Sequence, residues 1–105
     1  MAKFVDKEFI YQLWLDYFAI RNLSDQIKFI ADSHPEIRSL ELDFNDIFNF
    51  NGELAEIILS QPETAIEVGE AAVSSLKEPD QKASINLRIW DLYRKQWINI
   101  RDLRA

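Results

Sequence analysis

Apolar residues between Asp6 and Ile20 recur at steps of three and four: Phe9, Ile10, Leu13, Trp14, Tyr17 and Phe18. This spacing predicts an amphipathic helix with a broad buried stripe. Asp6 is placed to cap it, and Val5 and Ile10 to form a hydrophobic staple across its first turn. A second helix is expected from a turn and cap at Leu23-Ser24-Asp25, with Ile27, Ile30 and Ala31 inward and Phe29 at the flank. It should end by Ser33 or His34, because Pro35 disfavours the helical conformation in the residue before it.

From Ser39 the period changes to two. Leu40, Leu42 and Phe44 alternate with Ser39, Glu41 and Asp43, the pattern of a short strand with one buried face. Ile47, Phe48 and Phe50 then make an apolar knot, long enough for one helical turn. Asn51 is an N-cap, Gly52 loosens the start, and Leu54, Ile57 and Ile58 carry a third helix. A fourth starts at Pro62, a residue suited to the first helical position, with Glu63 beside the positive helix end. Its inner stripe is Ala65, Gly69, Ala72, Val73 and Leu76, and the small residues at 65, 69 and 72 let another helix approach closely. Glu63, Glu67 and Glu70 form a solvated acidic face on its other side. The polar segment 77–84, with Pro79, reads as a linker and hinge. Ile85, Leu87 and Ile89 alternate as a second strand, and Trp97 to Ile100 are expected to form a third.

Charge divides the chain. Residues 1–84 hold 7 Lys and Arg against 16 Asp and Glu, a balance of −9, whereas residues 85–105 carry +3, together the net −6. An acidic body is repelled by phosphates, so residues 1–84 are a poor primary nucleic-acid surface. The basic end is a better one: Arg88, Arg94, Lys95, Arg101 and Arg104 interleave with Trp90, Tyr93 and Trp97, residue types that suit contacts with single strands. These five cations are the candidate DNA or partner contacts. The charge shift places a domain boundary near residue 80.

Candidate chemistry is sparse. The chain has no cysteine and one histidine, His34, which is expected to be a solvated loop residue. Gly52 and Gly69 are its 2 glycines, too few for a phosphate-cradling loop or a dinucleotide fingerprint. Asp43 and Asp46 lie close enough to suggest an acid–base pair, but strand exposure and turn capping explain them better. No catalytic, cofactor or metal residue is assigned, and enzymatic activity is not expected of these residues. The start, with charges at positions 3, 6 and 7, resembles neither a signal peptide nor a membrane span.

The stretch LELDFNDIFNFNGELAEIILSQPE resembles a segment near the start of archaeal minichromosome maintenance (MCM) replicative helicases. There, too, a strand ending in an Asp-Phe pair precedes an acidic turn, a Glu-Leu-Ala helix start and a Pro-Glu step. Ile100-Arg101-Asp102-Leu103-Arg104-Ala105 is similar to the motif that opens the oligonucleotide-binding domain of that family, although Tyr93-Arg94-Lys95-Gln96-Trp97 stands where a proline-containing turn is usual. The resemblance implies a mainly α fold: residues 1–84 as a small four-helix bundle with one short strand, and residues 85–105 as the first one or two strands of a truncated oligonucleotide-binding barrel. It implies a regulatory and architectural role in a hexameric, ATP-dependent helicase of DNA replication, cytoplasmic and nucleoid-associated. Its partners would be other domains and subunits of the ring, with DNA engaged through the parent, ATP and Mg bound elsewhere in the parent, no membrane contact, and the piece itself a monomer or weak oligomer. The alternative is a free-standing acidic helical adaptor that binds a basic protein. A weaker third reading is a small nucleic-acid-binding protein working through the basic end.

Overall fold

The computed structural model describes residues 6–34, 37–81, 83–91 and 96–98, with their side chains as far as Ile89 apart from that of Ile37. Val5, half of the expected staple, lies outside them. Helix α1 (Lys7–Ile20) starts as its sequence dictates, with Asp6 Oδ1 accepting the Glu8 N–H at 3.0 Å. It ends in a Schellman motif. Asn22 takes the left-handed conformation at φ 53°, its N–H donates to Ala19 O at 3.1 Å, and the Leu23 N–H donates to Phe18 O at 3.0 Å.

Helix α2 (Ser24–Asp32) follows at once and departs from expectation at its start. Leu23, not Ser24 or Asp25, holds the cap position, and no side chain caps the helix. Leu23 is already fixed by the Schellman bond and packs against the core, so the turn leaves no room for an extended polar cap. The helix stops where Pro35 requires, with Ser33 at its C-cap.

Strand β1 (Ile37–Asp43) leads into α3 (Phe44–Phe50), which runs for 7 residues where a single turn was expected. Asp43 explains the extra length: its Oδ1 accepts the Asn45 N–H at 2.8 Å, and Phe44 becomes the first helical residue, buried rather than strand-borne. Asn51 then serves two helices. Its N–H donates to Ile47 O at 2.9 Å, closing α3, while its Oδ1 accepts from the N–H groups of Glu53 and Leu54 at 2.9 and 3.3 Å, opening α4 (Gly52–Ser60). Helix α5 (Pro62–Ser75) begins with its proline in the first turn. The chain is mainly α with a short sheet beside the helices, as the resemblance implies, and α3 is the element it adds.

Strand β2 (Ser84–Asp91) lies parallel to β1, Leu40 opposite Leu87 and Leu42 opposite Ile89, and the short β3 (Gln96–Ile98) is antiparallel to β2. The end of the third strand expected at Asn99 and Ile100 falls outside the described residues. One sheet face is apolar, with Leu40, Leu42, Ile85, Leu87 and Ile89 buried against the helices; the other carries Ser39, Glu41, Asn86 and Arg88.

The segment expected to act as a hinge is tied down instead. Gln81 Nε2 donates to Lys28 O at 3.3 Å and Asp32 Oδ1 at 3.0 Å, its Oε1 accepts the Glu78 N–H at 2.8 Å, and Lys77 Nζ donates to Ala83 O. Polar side chains that look like linker composition are here spent on α2 and on the turn itself.

At the centre, Trp14 is fully buried, stacks on Phe18 at 5.5 Å, and donates from Nε1 to Ala65 O at 2.9 Å. The small-residue stripe of α5 is what admits the indole. A Cβ on Gly69 would stand 2.5 Å from Leu87 Cδ2 and 2.9 Å from Trp14 Cε2. Gly69→Ala is therefore expected to cost about 1–3 kcal/mol, despite the better helix propensity of alanine. Gly52 has nothing within 4 Å of its Cβ position, so Gly52→Ala should leave stability unchanged or slightly raised. Urea unfolding of the two variants beside the parent chain checks the contrast.

Candidate interaction surfaces

Of the five cations singled out in the sequence, Arg88 lies among the described side chains, whereas Arg94, Lys95, Arg101 and Arg104 fall outside them. Parallel register sets Arg88 directly opposite Glu41, and its Nη1 donates to Glu41 Oε1 at 3.0 Å. The pair crosses the sheet's polar face and joins the acidic part of the chain to the basic part. Both side chains reach solvent, so screening makes it a weak contributor to stability but a clear orienting contact. Arg88 thus stays on the sheet surface with its guanidinium reaching across to β1.

The acidic residues have more specific work than composition suggested. Asp43 caps α3, and Asp46 in the first turn of that helix accepts from Tyr17 Oη of α1 at 2.7 Å and from Nη2 of Arg21, the α1 C-cap, at 2.7 Å. Each of the two carboxylates is thus engaged in a structural hydrogen bond. Burial, then the Asp46 bond, push the Tyr17 hydroxyl far above its ordinary pKa of 10.0. Phe50 holds the Tyr17 ring edge-on at 5.3 Å. Arg21, Asp46 and the end of β1 border an open cleft of about 440 Å³. The i, i+4 placement of Tyr17 and Arg21 was visible in the sequence, but a partner 29 residues away was not.

The acidic face expected on α5 is divided. Glu63 and Glu67 are exposed, while Glu70 turns toward the sheet and its Oε2 accepts the Leu87 N–H at 3.0 Å. A carboxylate read as solvated is thus part of the packing between α5 and β2. His34 is exposed at the end of α2, beside a cleft of about 320 Å³ that Asp32, Asp80 and Gln81 also line. Among the described residues, no group of three or more His, Cys, Asp or Glu is arranged to hold a metal ion, and no helix is long and apolar enough to cross a membrane.

Comparison with known proteins gives these surfaces a setting. The model of the MCM N-terminal domain family matches residues 14–95. No curated protein matches the chain. Among solved structures, a crystal structure of the N-terminal domain of an archaeal MCM is similar, with 32% sequence identity and a TM-score of 0.69. The similarity covers 86% of this chain and 38% of that one, so this chain spans well under half of its solved relative.

The Tyr17–Asp46 bond predicts a pH dependence whose sign is fixed. A hydroxyl whose pKa is raised by folding contributes stability that is fully present below its unfolded value of 10.0 and is lost as pH rises above it. Urea unfolding between neutral pH and pH values above 10 should show this alkaline loss. Tyr17→Phe should cost about 0.5–1.5 kcal/mol at neutral pH, the worth of one hydrogen bond, and flatten the alkaline decline.

Proposed function

We propose, from the premise that this chain belongs to the MCM N-terminal domain family, that it is a regulatory and architectural subdomain of a hexameric, ATP-dependent DNA helicase acting in replication. The observation that carries this reading is the family match over residues 14–95, which runs from within α1 through β2. Residues 1–84 are the helical subdomain, and residues 85–105 begin an oligonucleotide-binding barrel. The parent would be archaeal, like the solved relative, and would work in the cytoplasm on the nucleoid.

Catalysis belongs elsewhere in this scheme. ATP and Mg would be held by a glycine-rich phosphate loop, and the 2 glycines of this chain sit at the start of α4 and inside α5. What this chain supplies is shape and charge. The acidic helical body stays off the phosphate backbone by repulsion, while Arg88, Arg94, Lys95, Arg101 and Arg104 mark the end that meets DNA or a neighbouring subunit. The β1–β2 pairing favours an architectural role, because a strand assigned to the barrel is zipped to a strand of the helical subdomain.

Reading the source gene past Ala105 tests the assignment. The expected continuation is a barrel followed by a phosphate-loop ATPase, and electron microscopy of the expressed product should show six-membered rings. A stop codon after Ala105, with a monomeric product that binds a basic protein, would replace this reading with the acidic adaptor.

The basic end gives a separate expectation. In the longer protein, alanine at Arg94, Lys95, Arg101 and Arg104 should weaken single-strand binding. Every phosphate left without its cation should reduce the slope of log affinity against log salt by roughly one. An unchanged slope would assign these residues to protein contacts.

A further inference from the structure

We infer that the open edge of β1, together with the groove between it and α2, takes an extended basic segment of a partner protein as an added strand. Among the described strands the sheet order is β1-β2-β3, so β1 has a neighbour on one side alone. The bond from the Leu87 N–H to Glu70 shows which backbone groups face which way. In a parallel ladder the N–H and C=O of one residue point to the same side, and successive residues alternate. With Leu87 turned away from β1, its opposite number Leu40 faces β2, and Ser39 and Glu41 direct their N–H and C=O groups to the open side.

That edge is not flat surface. Two cavities of about 380 and 440 Å³ lie along it, one between Phe29, Ile30 and Ser33 and the β1 residues Arg38 and Ser39, the other between Leu23 and Gln26 and the β1 residues Glu41 to Asp43. Phe29 is 73% exposed, a large aromatic beside unpaired backbone. Arg38 adds a second, independent sign: its Nε is buried and has no hydrogen-bond partner, an unmet donor at the same end of the groove. Backbone edge, apolar wall and unmet donor together are what strand addition uses: main-chain hydrogen bonds supply affinity, and alternate side chains find pockets.

Charge selects the occupant. Residues 1–84 carry a balance of −9, and along the groove Glu41, Asp43 and Asp46 outnumber Arg21 and Arg38. The acidic body of a second copy would be repelled from this groove. A segment alternating apolar and basic residues can set the former against Phe29 and the latter toward Glu41 and Asp43.

The test uses the whole chain with a fluorescein-labelled heptapeptide of alternating lysine and valine as probe. Two controls accompany it: the same peptide with proline at its centre, and an alternating glutamate–valine peptide. The lysine–valine peptide should bind, shift the amide resonances of Ser39 and Glu41, and slow their hydrogen exchange, and both controls should bind roughly tenfold more weakly. Ser39→Pro removes an outward N–H and spares the β1–β2 ladder, a substitution that edge strands tolerate. It should also cost roughly tenfold in affinity while the far-ultraviolet circular dichroism is unchanged. If that variant fails to fold, Phe29→Ala, at an exposed site, should reduce affinity in the same direction. Absence of binding, equal binding of the proline peptide, or undiminished binding by folded variants would overturn the proposal. Protection of Ser39 and Glu41 that grows with chain concentration alone would overturn it in favour of a second copy.

Discussion

Trp14 is the side chain on which three parts of the molecule converge. Its indole lies over Gly69 of α5, its Nε1–H satisfies the carbonyl of Ala65, and the methyl of Leu87 from β2 meets the same glycine from the sheet side. A buried indole is a large apolar gain only if its one polar atom finds an acceptor. Here the acceptor is a helix carbonyl, reachable because residues 65 and 69 have almost no side chain. The packing of α1 on α5 and of α5 on β2 is therefore one constraint, not two. Glu70, next in sequence, fastens the arrangement by accepting the Leu87 N–H.

Much of the helical layout is legible because it is written locally. Asp6, Asn51 and Pro62 sit at helix starts for reasons contained within four residues, and the apolar spacing of α1 names its buried face except at Phe9, which the first turn leaves exposed. The small-residue stripe of α5 correctly announces a close helix approach, although not that the intruder is a tryptophan. What local pattern cannot show is which strand pairs with which. Glu41 and Arg88 are 47 residues apart, and nothing in either hexapeptide around them specifies a parallel partner. Separations of 17 and 29 residues likewise hide the role of Glu70 and the capture of Asp46 by Tyr17. Leu23 escapes a local reading for another reason: an apolar residue fixed by the preceding Schellman turn outcompetes the polar cap that composition favours.

Net charge describes the extremes of the chain better than its individual carboxylates. Asp43, Asp46, Glu41 and Glu70 look alike in a charge count. In the fold they are a helix cap, a two-donor acceptor, a cross-strand ion partner and a sheet anchor. The acidic character that keeps the helical body away from phosphates is thus partly structural in origin. Removing it wholesale would loosen the joints between α1 and α3 and between α5 and the sheet, so the electrostatics and the architecture of the domain cannot be tuned independently.

The parallel pairing of β1 with β2 also sets an order of events during synthesis. β1 leaves the ribosome 47 residues ahead of the strand that completes its ladder. At ordinary translation speeds that is a wait of roughly 2–9 s, far longer than helices need to form. Within that interval α3, α4 and α5 are themselves made; Leu40 and Leu42 lack Leu87 and Ile89 beside them throughout, and Gly69, once made, still lacks Leu87 against it. The nascent helical layer is therefore completed by a strand that arrives after it, and its final consolidation is timed by the emergence of the segment that follows.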